Sequence, residues 1–266
     1  MTAKHVVLAA LALVHVVVVP VNHESARGED DDGRVRLFSM AWRCSASSNH
    51  ALVVNLRNAG IVKDDRILKA MMQVDRGHYV PRSGDPYEDS PQPIGYNATI
   101  SAPHMHAMCL EELKDQLKPG AVVLDVGSGS GYLSAVMAEL VRPDGRVYGI
   151  EHIGELVDMA IRNVNAGNPD LLRDGLVEFV VGDGRLGMKD KAPFDCIHVG
   201  AAAPTVPHEL IAQLKNNGRL IVPVGASWAG QELMAYDKDS NGRVTSKSFS
   251  AVRYVPLTSR EGQLNL

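Results

Sequence analysis

The chain has 266 residues, of which 45% are hydrophobic and 22% are charged, and its formal net charge is -4. This length can bury one substantial hydrophobic core, and a slightly acidic chain has no overall attraction for nucleic acid. The three cysteines, Cys44, Cys109 and Cys196, are far apart and include no C-x-x-C pair. They indicate free thiols in a reducing compartment rather than a disulfide framework.

Residues 1–39 form a leader that we exclude from the fold prediction. Residues 6–21 are apolar except for His15 and follow Lys4, which is typical of a signal peptide. The run is shorter than the ~20 residues of a spanning helix, so no stable membrane insertion is expected. The alternative is that translation starts at Met40. We expect the core domain in the cytoplasm, or in the secretory pathway or another compartment if the leader directs it there.

Residues 40–118 are predicted to form an N-terminal helical cap and a substrate loop. Apolar residues recur at helical spacing over 48–72, and Gly60 divides this segment into two helices. Residues 81–103 carry five of the fourteen prolines, which predicts an ordered loop without regular structure. Loops of this length inside a compact domain are often functional. A further helix is predicted over 104–117.

Residues 119–266 alternate between strand and helix patterns, which predicts a doubly wound, mostly parallel α/β sheet. Buried runs separated by helices are typical of a parallel sheet that is covered on both faces. The last strands have no helices between them, so we expect antiparallel edge strands. Strands are predicted at 121–126, 146–151, 177–182, 195–199, 218–224, 233–238 and part of 244–256, with helices at 133–140, 155–166 and 208–214.

A glycine-rich turn follows the first strand of this sheet, in the sequence LDVGSGSG at 124–131. Glycines allow close approach of the backbone to a ligand, and the first such turn lies where strand order reverses. A dinucleotide fingerprint would have its third glycine at Tyr132 instead of Gly131, so the spacing favours an adenosyl ligand without phosphates. A purely structural turn is the alternative. Asp125 is predicted to order this turn by accepting backbone N–H bonds.

Two further carboxylates follow the next two strands. Glu151 ends the second strand, twenty residues beyond Gly131, where a carboxylate can accept hydrogen bonds from both ribose hydroxyls. Asp183 follows the third strand, before Gly184, where the carboxylate or backbone can face the adenine amino edge. Asp-Gly is otherwise a common turn former.

The order of the motifs resembles the protein L-isoaspartate O-methyltransferase family from residue 40 to the end. The matching stretches are MAW at 40–42, DSPQ at 89–92, TISAPHMH at 99–106, VGSGSG at 126–131, HVGAA at 198–202, VPVG at 222–225 and YVPLT at 254–258. The resemblance implies a Rossmann-like methyltransferase fold with S-adenosyl-L-methionine as cofactor. It also implies methylation of the carboxyl group freed when an aspartyl or asparaginyl residue isomerises, after which the ester collapses to a succinimide and partly reopens as normal aspartate.

The resemblance also implies roles for individual residues. Ser101 corresponds to the family's assigned active-site serine, and Ser101 and His106 would border the substrate as well as the cofactor. With the residues of the glycine-rich turn, the predicted cofactor site comprises Ala98, Thr99, Ile100, Ser101, His106, Asp125, Gly127, Ser128, Gly129, Ser130, Gly131, Glu151, His152, Asp183, Gly184 and Thr258.

Methyl transfer to an ionised carboxylate requires placement more than proton transfer. Near-attack placement can supply up to ~7–11 kcal/mol of the barrier, so Ser101 is interpreted as a residue that orients the carboxylate and not as a nucleophile. The alternative for Ser101 is an N-cap of the helix that begins near His104. His104 and His106 could be surface residues of that helix start, and no metal site is expected.

The expected partners are isoaspartyl-containing peptides and proteins, with no nucleic acid, and the chain is expected to be a monomer. Val222 and Val224 are predicted to offer backbone groups to an extended peptide, or else to form a buried core strand. A small-molecule carboxyl methyltransferase is the alternative function, but it has no reason to carry residues 99–104. A base methyltransferase would show Asn/Asp-Pro-Pro-aromatic after the fourth strand, where this chain has GAAAP at 200–204. A non-catalytic cofactor-binding protein is the third alternative.

Overall fold

The computed structural model describes residues 44–226 and 230–265. The leader predicted at 1–39 and the MAW stretch at 40–42 lie outside the described residues. Within the described ranges, no helix combines the length and apolar character needed to cross a membrane.

The elements alternate between helix and strand after a helical start. The strands are β1 (Gln92–Gly95), β2 (Ala98–Ile100), β3 (Val122–Val126), β4 (Arg146–Glu151), β5 (Val177–Val181), β6 (Phe194–Val199), β7 (Leu214–Val224), β8 (Gln231–Lys238) and β9 (Val244–Val252). The helices are α1 (Asn49–Asn58), α2 (Asp65–Gln73), α3 (Pro103–Leu113), α4 (Tyr132–Val141), α5 (Gly154–Gly167), α6 (Pro169–Arg173), α7 (His208–Ala212) and α8 (Arg260–Leu264).

Seven of these strands form one sheet in the order β5-β4-β3-β6-β7-β8-β9. The pairs from β5 to β7 are parallel, whereas β8 pairs antiparallel with both β7 and β9. The chain moves from β3 to β5 in one direction and then returns to place β6 on the other side of β3. The predictions of a doubly wound, mostly parallel sheet and of antiparallel edge strands are confirmed.

The helical cap packs onto one face of the sheet. Helices α1 and α2 begin at Ser48 and Asp64, whose side chains accept hydrogen bonds from the backbone N–H groups of Ala51 and Arg66. Leucines and methionines of both helices lie in the same buried cluster as the apolar residues of α3, α4 and β3. The chain segment that follows the cap, which includes β1 and β2, therefore lies at the carboxyl ends of the parallel strands.

The prediction of a loop without regular structure over 81–103 is wrong in part, because β1 and β2 form an antiparallel hairpin within it. Its turn places Gly95, Tyr96 and Asn97 at φ values of 89°, 54° and 56°, a left-handed conformation that suits a tight hairpin. Pro93 lowers strand propensity but is tolerated in an edge strand. The strands have only four and three residues, which is too short for alternation to be visible in the sequence.

Candidate active site

A cleft lies at the carboxyl ends of the parallel strands, where strand order reverses between β3 and β6. It has two connected parts that share Thr99, Gly127, Gly129 and Gly200. The first, here called the acidic pocket, is bordered by Ala98, Glu151, His152, Asp183, Gly184, Thr258 and Gln263. The second, here called the serine pocket, is bordered by Ile100, Ser101, His106, Asp125, Ser128, Ser130, Tyr132 and His198.

The glycines of the turn after β3 differ in what they contact. All three have positive φ values, 74° at Gly127, 50° at Gly129 and 85° at Gly131. A β-carbon at Gly127 would meet nothing within 4 Å, whereas one at Gly131 would lie 3.0 Å from Ala160 Cβ and from the Phe179 ring. Gly127 therefore opens the turn toward the cleft, whereas a β-carbon at Gly129 would lie 3.2 Å from Ile94 Cδ1 of the hairpin. Gly131 permits packing against α5 and β5 instead and does not border either pocket.

The expectation that Asp125 accepts backbone N–H bonds from the glycine-rich turn is wrong. Its Oδ1 is bonded to His198 Nδ1 at 2.8 Å, and its Oδ2 accepts from the Ser134 hydroxyl. The reason is register, because His198 on β6 is the direct partner of Asp125 on β3. Burial alone would lower the pKa of His198, but hydrogen bonds to Asp125 and Cys109 outweigh burial and raise it to about 10.

The bracing role expected of Asp125 belongs to Glu151. Its Oε2 accepts from the Gly129 N–H at 3.3 Å, and its Oε1 accepts from the N–H groups of His152 and Ile153 at 2.8 and 3.2 Å. The carboxylate thus joins the glycine-rich turn to the end of β4 while bordering the acidic pocket. Each carboxylate oxygen has two lone pairs, so Oε1 is fully used by these two N–H groups and Oε2 retains one lone pair for a ligand.

Asp183 lies at the far side of the acidic pocket and is paired with a neighbour. Arg185 Nη2 donates to Asp183 Oδ2 at 2.7 Å, and the hydrogen bonds from Arg185 hold the pKa of Asp183 below its usual value. Asp183 also accepts from the Arg185 N–H at 3.0 Å and so begins the short 3-10 turn that follows β5. Its carboxylate keeps its charge at neutral pH beside the pocket.

The C-terminal helix α8 closes the open side of the acidic pocket through Gln263. The Gln263 amide oxygen is 2.8 Å from His152 Nε2, and its amide nitrogen donates to the Tyr96 carbonyl at 2.9 Å. Asn97 Nδ2 donates to the Gln263 carbonyl at 2.9 Å. Gln263 is a candidate site residue that sequence reasoning missed, because α8 has five residues and no pattern places it near β4.

Ser101 borders the serine pocket and does not cap helix α3. The N-cap of α3 is Ala102, with Pro103 at the first helical position and no side-chain cap bond, so the N-cap interpretation of Ser101 is wrong. The Ser101 carbonyl accepts a hydrogen bond from Arg76 Nη2 at 2.8 Å. Since its backbone is held in this way, the half-buried hydroxyl group can face a ligand in the pocket.

The interpretation of His104 and His106 as surface residues is also wrong, because they are 6% and 7% exposed. His104 Nδ1 bonds to Asp89 Oδ1 at 2.7 Å, and the same oxygen accepts from the His104 N–H. His106 packs beside the Tyr132 ring with 5.2 Å between ring centroids. Burial, followed by the charge of Arg76, lowers the pKa of His106 well below its usual value, so this imidazole is neutral in the pocket.

Val222 and Val224 do not offer a free strand edge. Both lie in β7, where they pair with Met234 and Glu232 of β8. The other side of β7 is occupied as well, because Ala203 bridges to Val224 in the parallel direction. Val222 is fully buried in the core. The prediction that an extended peptide pairs with these residues is therefore wrong, and the alternative of a buried core strand holds.

In the described ranges, no group of three or more His, Cys, Asp or Glu side chains is arranged to hold a metal ion. Cys44, Cys109 and Cys196 are free thiols and all are buried. Burial raises the pKa of the Cys44 thiol to about 11, which makes it unreactive at neutral pH. The polar chemistry of the cleft therefore rests on carboxylates, hydroxyls, imidazoles and backbone groups.

The sheet order, the glycine-rich turn and the acidic residue after β4 define a Rossmann-like methyltransferase fold. Residues 47–262 match the family model described as Protein-L-isoaspartate(D-aspartate) O-methyltransferase (PCMT). A protein-L-isoaspartate O-methyltransferase of Triticum aestivum is 53% identical over 221 residues, covering 83% of this chain and 95% of that protein. One of Caenorhabditis elegans is 49% identical over 226 residues, covering 85% and 99%.

Solved structures give the same result. A candidate protein-L-isoaspartate O-methyltransferase of Plasmodium falciparum, solved in complex with S-adenosyl-L-homocysteine, has a TM-score of 0.74 and 35% identity. The match covers 80% of this chain and 99% of that one. The chain belongs to the protein-L-isoaspartate (D-aspartate) O-methyltransferase family.

Proposed function

We propose that this chain transfers a methyl group from S-adenosyl-L-methionine to the free carboxyl group of L-isoaspartyl residues in damaged peptides and proteins, and of D-aspartyl residues as a secondary substrate. The observation that carries the proposal is the joining of two unlike pockets at the glycine-rich turn. The acidic pocket offers carboxylates and open backbone, whereas the serine pocket offers a hydroxyl group in a desolvated setting. The first suits the nucleoside and the second suits a carboxylate.

The residues of the acidic pocket fit an adenosyl cofactor. Gly127 leaves free the space that a side chain would fill, and Glu151 Oε2 keeps a free lone pair for a ribose hydroxyl. In the adjoining serine pocket, the buried Ser128 hydroxyl has no protein partner in the described ranges. The remaining residues assigned to the cofactor are Ala98, Thr99, Ile100, Ser101, His106, Gly129, Ser130, His152, Asp183, Gly184 and Thr258. When bound, S-adenosyl-L-methionine supplies an electrophilic methyl group on a sulfonium.

Ser101 and His106 act on the acceptor side. A carboxylate is already ionised at neutral pH, so no residue needs to remove a proton, and the task is to hold the acceptor oxygen in line with the methyl group. The Ser101 hydroxyl donates a hydrogen bond to the carboxylate and fixes its direction. His106 is neutral, so it borders the pocket without forming an ion pair with the carboxylate.

The wider setting follows from the same proposal. The partners are isoaspartyl peptides and proteins, and the chain acts as a monomer in the cytoplasm, with residues 40–118 as cap and substrate loop and 119–266 as the cofactor-binding core. Three free, buried thiols fit a reducing compartment. Large exposed apolar side chains are few in the described ranges, namely Tyr96, Val181, Leu186 and Val244, which supports a monomer.

The experiment compares the wild-type chain with Ser101→Ala in methyl transfer to an isoaspartyl peptide and in calorimetric binding of S-adenosylhomocysteine. Loss of a hydrogen bond to a charged group is expected to lower kcat/KM by about 10- to 100-fold, while the affinity for S-adenosylhomocysteine falls much less. Ser48→Ala is the matched control, because Ser48 is a true N-cap. It should cost about 1 kcal/mol of stability and leave both activities intact. Equal loss of binding and turnover in Ser101→Ala would contradict the orienting role.

A further inference from the structure

A buried cation lies directly behind the serine pocket. Arg76 follows α2 in a short 3-10 turn and has no exposed surface. Its Nη2 donates to the Ser101 carbonyl at 2.8 Å, and its guanidinium carbon lies 5.4 Å from the centroid of the Tyr132 ring. Arg76 thus contacts the backbone of one pocket residue and the ring face of another.

The charge of Arg76 is not neutralised by a bonded carboxylate. Its Nε and Nη1 atoms are buried and have no hydrogen-bond partner in the described ranges. Asp89 raises the pKa of Arg76 through space but makes no hydrogen bond to it, since Asp89 Oδ1 is bonded to the His104 ring and N–H and Oδ2 has no partner in the described ranges. Burial lowers the pKa of Arg76 to about 10, which still leaves the guanidinium protonated at neutral pH. An unpaired buried charge is costly, so an anion nearby is strongly favoured.

The other ionisable groups of the pocket do not supply a net positive charge. His106 is neutral because its pKa is well below the usual value. His198 is held by Asp125 at 2.8 Å, so its charge is compensated within the pair. Of these three side chains, Arg76 alone combines a positive charge with the absence of a hydrogen-bonded carboxylate in the described part of the chain.

We propose that Arg76 is a positioning and specificity-determining residue, which fixes the Ser101 backbone and makes the serine pocket select an ionised carboxylate over a neutral amide of the same shape. This inference rests on the proposed function. Arg76, which lies outside the pocket lining, discriminates between ligands by charge, whereas the Ser101 hydroxyl orients the carboxylate through a hydrogen bond. An asparaginyl or isoasparaginyl amide would be excluded because it gains nothing from the cation.

The test measures binding of two synthetic peptides that differ only in isoaspartate against isoasparagine, with the protein saturated with S-adenosylhomocysteine so that no turnover occurs. The wild-type chain should bind the carboxylate peptide at least about tenfold more tightly than the amide peptide. Arg76→Gln should lower that ratio by about tenfold. Arg76→Lys, which keeps the charge, should retain most of it. A purely structural role would weaken both peptides equally.

Arg66→Gln is the matched control, because Arg66 also donates to backbone carbonyls, those of Leu117 and Lys114, but away from the cleft. It should leave the ratio unchanged. If Arg76→Gln does not fold, the affinity ratio of the two peptides is compared between the wild type and Arg76→Lys. A wild-type chain that does not prefer the carboxylate peptide overturns the inference. If the wild type methylates isoaspartyl peptides and Arg76→Gln keeps the full ratio, the inference fails and the proposed function stands. If the wild type transfers no methyl group, both fail.

Discussion

The acidic pocket and the serine pocket share the ends of the same parallel strands, but they hold their polar groups differently. In the acidic pocket, Asp183 is paired with Arg185 two positions along the chain, and Glu151 accepts from the adjacent His152 and Ile153 as well as from Gly129 of the turn. In the serine pocket, the partners are separated by 25 residues between Arg76 and Ser101 and by 73 between Asp125 and His198. The carboxylates of the acidic pocket are thus held mainly by neighbouring residues, whereas the polar groups at the serine pocket are held by contacts across the domain.

This difference has an energetic consequence. A partly exposed pair that is bonded locally, such as Asp183–Arg185, contributes little to stability, so its carboxylate is available to a ligand. Buried groups bonded across the fold are costly to leave without a partner, so changes there affect folding as well as chemistry. Substitutions in the acidic pocket should therefore alter cofactor affinity, whereas substitutions behind the serine pocket should alter stability and selectivity.

The largest expected effect is on the buried pair Asp125–His198. Asp125→Asn should lower the free energy of unfolding at pH 6 by about 3–5 kcal/mol, because it leaves a buried imidazole without its carboxylate. Asp183→Asn is the control, because its pair with Arg185 is partly exposed, and it should cost about 1 kcal/mol or less. Similar losses in both variants, measured by urea unfolding, would contradict the contrast between the pockets.

The same pair predicts a pH dependence. The folded-state pKa of His198, about 10, is above its ordinary value of 6.5. Its contribution to stability is therefore fully present below pH 6.5 and is lost as the pH rises toward 10. The difference in stability between the wild type and His198→Asn should shrink over that interval. A difference that grows with pH in urea unfolding would show that the sign is wrong.

The next effect concerns cofactor affinity in the acidic pocket. Glu151→Gln keeps the shape of the side chain but removes the charge that strengthens hydrogen bonds from ribose hydroxyls, so affinity for S-adenosylhomocysteine should fall roughly 100-fold. Glu155→Gln, on the exposed start of α5, is the matched control and should bind normally. The affinities are measured by calorimetry. A change in affinity of less than about twofold for Glu151→Gln would show that Glu151 does not bind the cofactor.

A smaller effect separates two glycines of the same turn. Gly127→Ala and Gly131→Ala both place a side chain at positive φ, but only Gly131 is crowded, by Ala160 and Phe179. Gly131→Ala should be less stable than Gly127→Ala by about 1–2 kcal/mol, whereas Gly127→Ala should weaken cofactor binding more. Thermal unfolding compares the stability of the two variants, and calorimetry compares their affinity for S-adenosylhomocysteine. Identical behaviour would mean that the two glycines have the same role.

The smallest effect is expected at Gln263, which connects α8 to the hairpin turn and to His152. Gln263→Ala should speed release of S-adenosylhomocysteine about fivefold, because it removes hydrogen bonds that contribute about 1 kcal/mol net each in a partly exposed setting. Glu261→Ala, on the same helix and away from these bonds, is the control. Stopped-flow dissociation measures both rates, and equal rates in the two variants would exclude a closing role for Gln263.

The two pockets also differ in how far they could be predicted from sequence. The sheet, the glycine-rich turn and Glu151 follow from local patterns, because strand periodicity and glycine spacing are properties of short segments. Arg76, Gln263 and the partner of Asp125 could not be predicted, since their contacts join segments that only the folded chain brings together. Ser101 was correctly placed in the cleft through its motif, but its neighbour Arg76 belongs to no recognisable pattern.

The decisive experiment is methyl transfer from labelled S-adenosyl-L-methionine to two peptides that differ only in isoaspartate against normal aspartate at one position. We expect labelling of the isoaspartyl peptide alone, followed by base-labile release of the label as methanol, since the product is a carboxyl ester. Labelling of both peptides equally, or of neither while S-adenosylhomocysteine still binds, would contradict it.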